Sequence, residues 1–302
     1  MKKIDIMDVS IIIINYNSSS YTLKCIETII KYTKSLTYEI IVVDNNSKTS
    51  ELQDLKNGIE NYTVKLIESK INLGFGGGNS LGYQFSKGKY LAFVNNDVEF
   101  LENSLLKLLN YIKTDSKIGC LGLPQINSNH KPFIYSYRQF QGISYQLFKQ
   151  PKPYSYYSKL HQSDLKTPFE VDLVSGAFMF FKTEAYKACG GFDTNIFLYY
   201  EEMDIGERLR KSGYQTVFYP DGIFLHHLGK SSVNVKMKVE FTIAYLYVIQ
   251  KNYSYWYYKT IQTILFFKYG MKALAKPKKY GQPFAIVAKG GNGLAYSLRV
   301  KN

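Results

Sequence analysis

The chain has 302 residues, of which 45% are hydrophobic, and a formal net charge of +14 at pH 7. This length is enough for one large α/β domain or for a domain with an appendage, and the composition allows a sizeable core. Three scattered cysteines without a C-x-x-C spacing exclude a disulfide scaffold and predict reduced, buried thiols. The apolar run near the N-terminus is too short for a secretory signal, and no stretch approaches 18 uncharged apolar residues. We therefore expect a cytoplasmic protein that does not cross a membrane.

The first 123 residues alternate predicted strands with predicted helices. Strands are predicted from β-branched and apolar runs, which lie at residues 9–17, 38–47, 64–69, 89–100 and 118–126. The segments between them carry helical periodicity or a glycine-rich turn. This order predicts an α/β fold with a mostly parallel central sheet and helices on both faces.

Polar residues end the first, second and fourth strands, in the segments NYN, DNNS and NND. Ligands of such sheets bind beyond the carboxyl ends of the strands, so these clusters predict a binding site at one sheet edge. Asp44 has an oxygen that could accept the N3–H of a pyrimidine base, and Asn15 and Asn17 could contact the same base. Plain turn formation is the alternative for each cluster. The candidate ligand-binding residues at these strand ends are Asn15, Asn17, Asp44, Asn46, Asn95 and Asn96.

The glycine-rich stretch GFGGGN follows the third strand. Gly74 and Gly76 fit a dinucleotide fingerprint, but the third position is Asn79 and the stretch is not in the first βα turn. A P-loop is absent from the sequence. We interpret the stretch as a backbone turn that lets a ligand approach a helix N-terminus, with Gly76, Gly77 and Asn79 as contacts. A plain tight turn is the alternative.

Asp97 closes the fourth strand. A carboxylate at this position could hold Mg²⁺ or Mn²⁺ while substrate phosphates fill the remaining coordination positions. Asn95 or Asn96 could contact a ribose or a metal-bound water. A turn-forming Asn-Asn-Asp sequence is the alternative.

Residues 124–170 show no clear period and predict a long loop region, with a strand expected near Phe133–Tyr137. A strand, a short helix and a glycine turn are predicted over residues 171–193. The next segment predicts a helix that ends at Gly213, followed by a strand. After residue 232 the chain is expected to be helical at first and irregular after Pro277.

Three acidic residues, Glu201, Glu202 and Asp204, crowd the start of the predicted helix. The helix dipole alone favours acids there, but one of them could serve as a general base. Arg208 lies four residues beyond Asp204 and would hold the cluster in place. His226 and its neighbour His227 follow a strand and should point to opposite sides, so at most one faces the site. A structural or solvated histidine pair is the alternative.

Taken together and in this order, these segments resemble the family 2 glycosyltransferases of the GT-A fold, particularly bacterial rhamnosyltransferase-like members. The likeness covers roughly residues 8–235. It implies a GT-A nucleotide-diphospho-sugar transferase fold with a catalytic domain at 1–232, divided into a nucleotide-binding half (1–123) and an acceptor half (124–232). It also implies an inverting enzyme that uses a nucleotide-sugar donor, with dTDP-rhamnose favoured over UDP-hexoses, and Mg²⁺ or Mn²⁺. The acceptor implied is an oligosaccharide or lipid-linked saccharide of a surface polysaccharide.

The resemblance also assigns roles to individual residues. The D-x-D position of the family falls on Asn95-Asn96-Asp97, so Asp97 alone remains as a carboxylate metal ligand. The catalytic E-D pair falls on Glu201 and Glu202, and either could be the base, with Glu202 at the usual position. The metal- or phosphate-binding histidine falls on His226. Asp44 corresponds to the base-recognising aspartate.

The positive charge is concentrated in a C-terminal extension, residues 233–302. From residue 230 onward there are 13 Lys/Arg and one acidic residue, so residues 1–229 contribute only about +2. Fourteen aromatic residues follow residue 240. Two interpretations stay open. The extension either lies on an anionic membrane surface, peripheral to the inner face of the cell membrane, or packs on the domain or forms a homodimer contact. Nucleic acid is not expected as a partner, because no recognition motif is present.

Two other functions remain alternatives at this point. One is a non-catalytic sugar-nucleotide-binding assembly subunit, which the incomplete D-x-D motif favours. The other is a sugar-1-phosphate nucleotidyltransferase. Such enzymes usually carry a glycine-rich loop with Arg and Lys after the first strand, and the segment NYNSSS lacks it.

Overall fold

A computed structural model describes residues 7–133, 136–148, 166–227 and 235–301. The strands are β1 Val9–Asn15, β2 Tyr38–Asp44, β3 Val64–Glu68, β4 Tyr90–Asn95, β5 Val98–Phe100, β6 Ile118–Gly122, β7 Gln125–Ile126, β8 Tyr137–Arg138, β9 Phe169–Val171, β10 Leu173–Val174, β11 Phe178–Lys182, β12 Gln215–Phe218 and β13 Phe224–His226. The helices are α1 Ser19–Tyr32, α2 Thr49–Ile59, α3 Gly74–Tyr83, α4 Ser104–Ile112, α5 Ile143–Phe148, α6 Thr183–Ala188, α7 Glu201–Lys211, α8 Val235–Asn252, α9 Tyr255–Ala275 and α10 Pro277–Ala288. Two short 3₁₀ turns follow, at Leu294–Tyr296 and Leu298–Lys301.

The main sheet has eight strands in the order β3-β2-β1-β4-β11-β6-β12-β9. The first four are mutually parallel, whereas β11 runs antiparallel to both β4 and β6. The register sets Asn15 beside Asp44 and Ile14 beside Asn95. The polar ends of β1, β2 and β4 therefore meet at one sheet edge, as the sequence predicted.

Both faces of the sheet are covered, which explains why the strands are apolar on both sides. Ile11 and Ile13 of β1 face one layer, where α1, α2 and α4 contribute buried side chains. Ile12 faces the other layer, where α6 and α7 pack. The three cysteines are buried and unpaired, in agreement with the sequence.

The helix predicted behind the glycine-rich turn is present, but it already begins at Gly74, so most of the glycines lie inside the helix and not in a turn before it. Helix α3 begins at Gly74, whose φ of +72° and close approach to the Phe197 carbonyl exclude a side chain. A Cβ at Gly82 would lie 2.6 Å from Ile12 Cγ2. The glycines thus allow α3 to lie close against the sheet, and this packing explains the composition of the run.

The segment after residue 123 is more structured than a long loop. Strand β8 covers the end of the strand expected near Phe133–Tyr137, and residues 134–135 lie outside the described part. The single strand predicted before α6 is divided, because β10 pairs with β8 while β11 joins the main sheet. Residues 175–177 form the break. Residues 149–165 of the predicted loop region also lie outside the described part.

The C-terminal extension packs on the preceding part of the chain through a third apolar cluster. Met203 of α7 meets buried side chains of α8, α9 and α10, including Leu246, Ile261 and Val287. The expected irregular structure after Pro277 is wrong: α10 begins there, because proline is favoured in the first turn of a helix. Among the described residues, no helix is both long enough and apolar enough to span a bilayer.

Candidate active site

A cavity of about 440 Å³ lies between the carboxyl end of β4 and the N-terminus of α7. Asn95 closes β4 on one side, and Glu201 and Glu202 open α7 on the other. His226 from β13 completes the predicted residues in the wall. The remaining lining residues are Phe75, Arg138, Gln141, Ser175, Gly176, Ala177, Leu198, Tyr199, Tyr200 and Phe241.

The two glutamates occupy different environments. Glu202 has 18% of its side chain exposed, with Oε1 3.9 Å from Nη1 of Arg138. Glu201 is 5% exposed, and its Oε1 has no hydrogen-bond partner among the described residues. Burial, and secondarily the charge of Glu202, raises the pKa of Glu201 well above its usual range. Both glutamates line the cavity, and Glu202 is the more exposed of the two.

The backbone before α7 is strained. Tyr199 and Tyr200 have φ values of 75° and 67°, a left-handed conformation that is uncommon for aromatic residues. Tyr199 is held by stacking on Phe241, with ring centroids 3.8 Å apart, and Tyr200 donates a hydrogen bond to Gln141. This tight turn presents the start of α7 to the cavity, and such strain concentrates at functional sites.

Asp204 belongs to the fold rather than to the cavity. Its side chain is fully buried and accepts hydrogen bonds from Arg208, Lys251 and Asn252. Arg208 holds Asp204, as predicted from their spacing, and the bonds from Lys251 and Asn252 to the same carboxylate tie α7 to the end of α8. Of the three acids at the helix start, only Glu201 and Glu202 line the cavity.

Asp97 and His226 meet through the small sheet β5-β13-β7. Nε2 of His226 lies 3.2 Å from Asp97 Oδ1, and Nδ1 lies 2.9 Å from Gln125 Oε1. With the amide oxygen of Gln125 facing Nδ1, the proton of a neutral ring is on Nδ1 and Nε2 presents a lone pair toward Asp97. His227 instead pairs with Glu99 at 2.6 Å. The two histidines thus point apart, as expected for neighbours at a strand end.

Asp97 and His226 have the chemistry of two ligands of a metal site. A carboxylate oxygen and an imidazole nitrogen are ligands that Mn²⁺ accepts, and Mg²⁺ is commonly held by one or two carboxylates with phosphates and water. Among the described residues, no group of three or more His, Cys, Asp or Glu side chains converges as a metal site. The remaining positions would therefore come from a substrate and solvent.

The residues predicted to recognise a base form a connected network. Asn15 Nδ2 donates to Asp44 Oδ1 at 2.8 Å, and the backbone N–H of Ser47 donates to Oδ2 at 3.0 Å. Asn15 and Asp44 are 0% and 1% exposed. Asn17 and Asn46 have φ values of 51° and 66° and lie on the loops above them. The network fixes both loops at the edge of the sheet.

The other predicted donor contacts lie nearby but outside the cavity wall. Asn96 Nδ2 donates to Ser18 Oγ at 2.6 Å. Gly76 and Gly77 are buried inside α3, together with Asn79, whose Oδ1 lacks a hydrogen-bond partner among the described residues. Their predicted role as donor contacts stays a prediction.

Several cavity residues carried no signal in the sequence. Arg138 and Gln141 come from a segment without periodicity, and Phe241 comes from the extension, which sequence reasoning separated from the catalytic domain. Tyr199 and Tyr200 directly precede the glutamates, and this adjacency was the available clue. Tertiary packing brings these residues to one cavity.

Comparison with known proteins defines the class. The sequence profile described as Glycosyl transferase family 2 matches residues 10–190, so the chain belongs to this family of glycosyltransferases. Glu201, Glu202 and His226 lie beyond the matched residues. The assignment confirms the resemblance noted in the sequence.

Its curated relatives include named rhamnosyltransferases. An N-acetylglucosaminyl-diphospho-decaprenol L-rhamnosyltransferase of Mycobacterium tuberculosis is 26% identical over 211 residues, which cover 64% of this chain and 67% of that protein. The rhamnosyltransferase WbbL of Escherichia coli is 26% identical over 229 residues, covering 72% and 83%. The chain is similar to both.

Solved structures confirm the GT-A-like fold. GalNAc-T7 with UDP, GalNAc and Mn²⁺ matches with a TM-score of 0.59 and 19% identity, covering 80% of this chain. The chain spans about half (48%) of that structure. The mannosyltransferase PcManGT of Pyrobaculum calidifontis, in complex with GDP-Man and Mn²⁺, matches with a TM-score of 0.58 and 14% identity, covering 97% and 88%. At these identities the likeness shows the fold.

Proposed function

We propose that the protein transfers a sugar, with inversion, from a nucleotide-diphosphate donor to a hydroxyl group of a saccharide acceptor, and that Glu202 is the general base. One observation carries the assignment of the base: both glutamates line the cavity, but the Glu202 side chain is 18% exposed whereas Glu201 is 5% exposed and its Oε1 is buried. A general base must reach the proton that it removes. The more exposed Glu202 is therefore the better placed of the two for an acceptor hydroxyl.

The reaction proceeds by one displacement. A carboxylate oxygen of Glu202 takes the proton from the acceptor hydroxyl as the hydroxyl oxygen bonds to the anomeric carbon. The bond from that carbon to the donor diphosphate breaks, and its electron pair leaves with the diphosphate. Arg138 lies 3.9 Å from Glu202 and restrains the orientation of its carboxylate. The stacked rings of Tyr199 and Phe241 offer an apolar wall for a sugar ring.

Asp97 and His226 would hold the divalent cation, Mg²⁺ or Mn²⁺. When bound, this ion stabilises the charge that develops on the departing diphosphate. Gln125 accepts a hydrogen bond from Nδ1 of His226 and so orients the ring, which is the usual arrangement around a metal-binding histidine.

For the donor we propose a dTDP-rhamnose-like sugar nucleotide, with UDP-hexoses as the next candidates. The names of the two rhamnosyltransferase relatives support this order. The name of the mycobacterial relative also supports a lipid-linked saccharide as acceptor. A thermal-shift screen of nucleotide sugars with Mn²⁺ tests the donor, and a larger shift with a UDP-hexose than with dTDP-rhamnose would reverse the order.

The catalytic assignment is tested by Glu202→Gln. We expect the rate of nucleoside-diphosphate release in the presence of acceptor to fall by about 10²–10⁴-fold, the usual contribution of a general base. The matched control is Glu201→Gln at the adjacent, more buried position, which has no proton-transfer role in this proposal and should lower the rate by less than about tenfold.

The opposite order of the two variants would reassign the base to Glu201. Release of no nucleoside diphosphate by the unmodified protein, from any donor with metal and acceptor, would instead favour the non-catalytic binding subunit.

A further inference from the structure

Helix α9 has two opposite faces. Tyr258, Ile261 and Leu265 are buried on the inner face. The outer face is apolar and exposed, and we call it the α9 face; it comprises Trp256, Phe267, Met271 and Leu274, which are 77%, 65%, 68% and 88% exposed. Phe267, Met271 and Leu274 follow one another at helical spacing and form an apolar patch at the C-terminal end of α9. Trp256 lies on the same line about 16 Å nearer the N-terminus, beyond the exposed Thr260 and Thr263. Exposed apolar patches of this kind mark interaction sites.

Positive charge is concentrated where α9 ends and α10 begins. Residues 241–302 contain no Asp or Glu. Four exposed lysines lie at the end of α9 and in the first turn of α10: Lys272, Lys276, Lys278 and Lys279. Nζ of Lys272 lies 5.4 Å from the centroid of the Tyr280 ring, so at least one of these cations lies beside an aromatic side chain.

These charges decide what can cover the α9 face. In a two-fold dimer the same patch meets itself, so lysines without acidic partners would approach one another. An anionic surface would instead attract them. Long lysine side chains can place their ammonium groups at lipid headgroups while their stems follow apolar surface, and Trp and Tyr favour the same interfacial layer.

We propose that the α9 face docks on an anionic lipid bilayer, with α9 parallel to the membrane plane. Its apolar side chains enter the boundary between headgroups and acyl chains, and the lysines contact lipid phosphates. The helix lies on the membrane and does not cross it.

The docking surface is connected to the active-site cavity. Phe241 of α8 lines that cavity, and α8 packs against α9 in the third apolar cluster. A smaller cavity of about 220 Å³, lined by Lys238, Tyr269 and Tyr280 among others, shares Tyr200 and Phe241 with the large one. Docking would therefore hold the cavity near the membrane. The proposal concerns membrane binding alone and can fail independently of the proposed chemistry.

Vesicle flotation of the full chain tests the proposal. We expect the protein to float with phosphatidylcholine vesicles that contain about 30% phosphatidylglycerol, and much less with phosphatidylcholine alone. Two multiple variants should each weaken this binding by about tenfold or more. The apolar variant is Phe267→Ser, Met271→Ser and Leu274→Ser. The basic variant is Lys272→Gln, Lys276→Gln, Lys278→Gln and Lys279→Gln.

Matched controls test whether vesicle binding depends on the α9 face itself or only on the number of exposed apolar and basic residues in the chain. The apolar control changes two other exposed side chains, Ile71→Ser and Leu147→Ser, which are 60% and 54% exposed. The charge control removes four exposed lysines of the catalytic domain: Lys31→Gln, Lys113→Gln, Lys117→Gln and Lys187→Gln. Both controls should bind vesicles like the unmodified protein, and circular dichroism melts verify that all variants are folded.

Three results would overturn the proposal. The unmodified protein could fail to float with either vesicle. The face variants could bind as well as the controls. Analytical ultracentrifugation could show a dimer that the apolar variant converts to a monomer without loss of vesicle binding, which would make the α9 face a subunit contact.

Discussion

At the residue scale, the proposed metal site depends on the Asp97–His226 pair. Asn95 and Asn96 precede a single carboxylate, and Asn96 donates a hydrogen bond to Ser18. Asp97 lies 3.2 Å from His226, next to the pairing of β5 with β13. The imidazole, from a distant part of the chain, is the second ligand that we propose.

Asp97→Asn should weaken metal dependence. An amide oxygen is neutral, so the site loses its one anionic ligand in this pair, and we expect the Mn²⁺ concentration for half-maximal transfer to rise by about tenfold or more. Glu99→Gln on the same strand is the matched control, because Glu99 pairs with His227 instead. Unchanged metal titrations for both variants would exclude Asp97 as a ligand.

At the scale of elements, α3 is defined by close packing. Its glycines bring the helix against β1 and β2, where Gly82 faces Ile12 and Val43. Such contacts leave no space for a methyl group. Gly281 of α10 is not needed for close packing, because a Cβ there would meet nothing within 4 Å.

Gly82→Ala and Gly281→Ala should therefore have opposite effects. The Gly82 variant would place a Cβ 2.6 Å from Ile12 Cγ2. We expect its free energy of unfolding to fall by roughly 1–2 kcal/mol, since overpacking exceeds the gain in helix propensity. The Gly281 variant should be more stable by about 0.5–1 kcal/mol. Urea denaturation measures both, and equal effects would contradict this packing account of α3.

At the scale of the whole molecule, the extension and the catalytic domain share one structure. Asp204 of α7 is fully buried and bridges to Lys251 at 3.0 Å and Asn252 at 2.8 Å on α8. Phe241 of the same helix forms part of the cavity wall. The extension therefore contributes to both stability and the site.

Asp204→Asn should destabilise the protein substantially. Removing one charge from a buried network leaves Arg208 and Lys251 without their shared anion, and we expect a loss of about 2–4 kcal/mol in the free energy of unfolding. Asp221→Asn is the matched control, because the Asp221 side chain is 69% exposed and exposed ion pairs contribute less than about 1 kcal/mol. A loss at position 204 no larger than in the control would show that the bridge between α7 and α8 is energetically unimportant.

The amino-acid sequence determined the alternation of strands and helices, because periodicity and β-branched runs are local properties. It also determined that polar ends of β1, β2 and β4 share an edge, since parallel strands place their carboxyl ends together. The local pattern failed at α3, where glycines that suggest a turn serve helix–sheet packing, and after Pro277, where proline begins a helix.

Only the tertiary structure decided which of the two adjacent glutamates is the more exposed in the cavity wall. Their sequence neighbourhood is nearly the same, but burial depends on residues far along the chain. Arg138 and Phe241 likewise reached the cavity through packing between distant segments, which leaves no local pattern. The sequence could place charge and aromatic residues in the extension. The packing of the helices decides which side of α9 stays uncovered, because each helix buries the side that meets a neighbour.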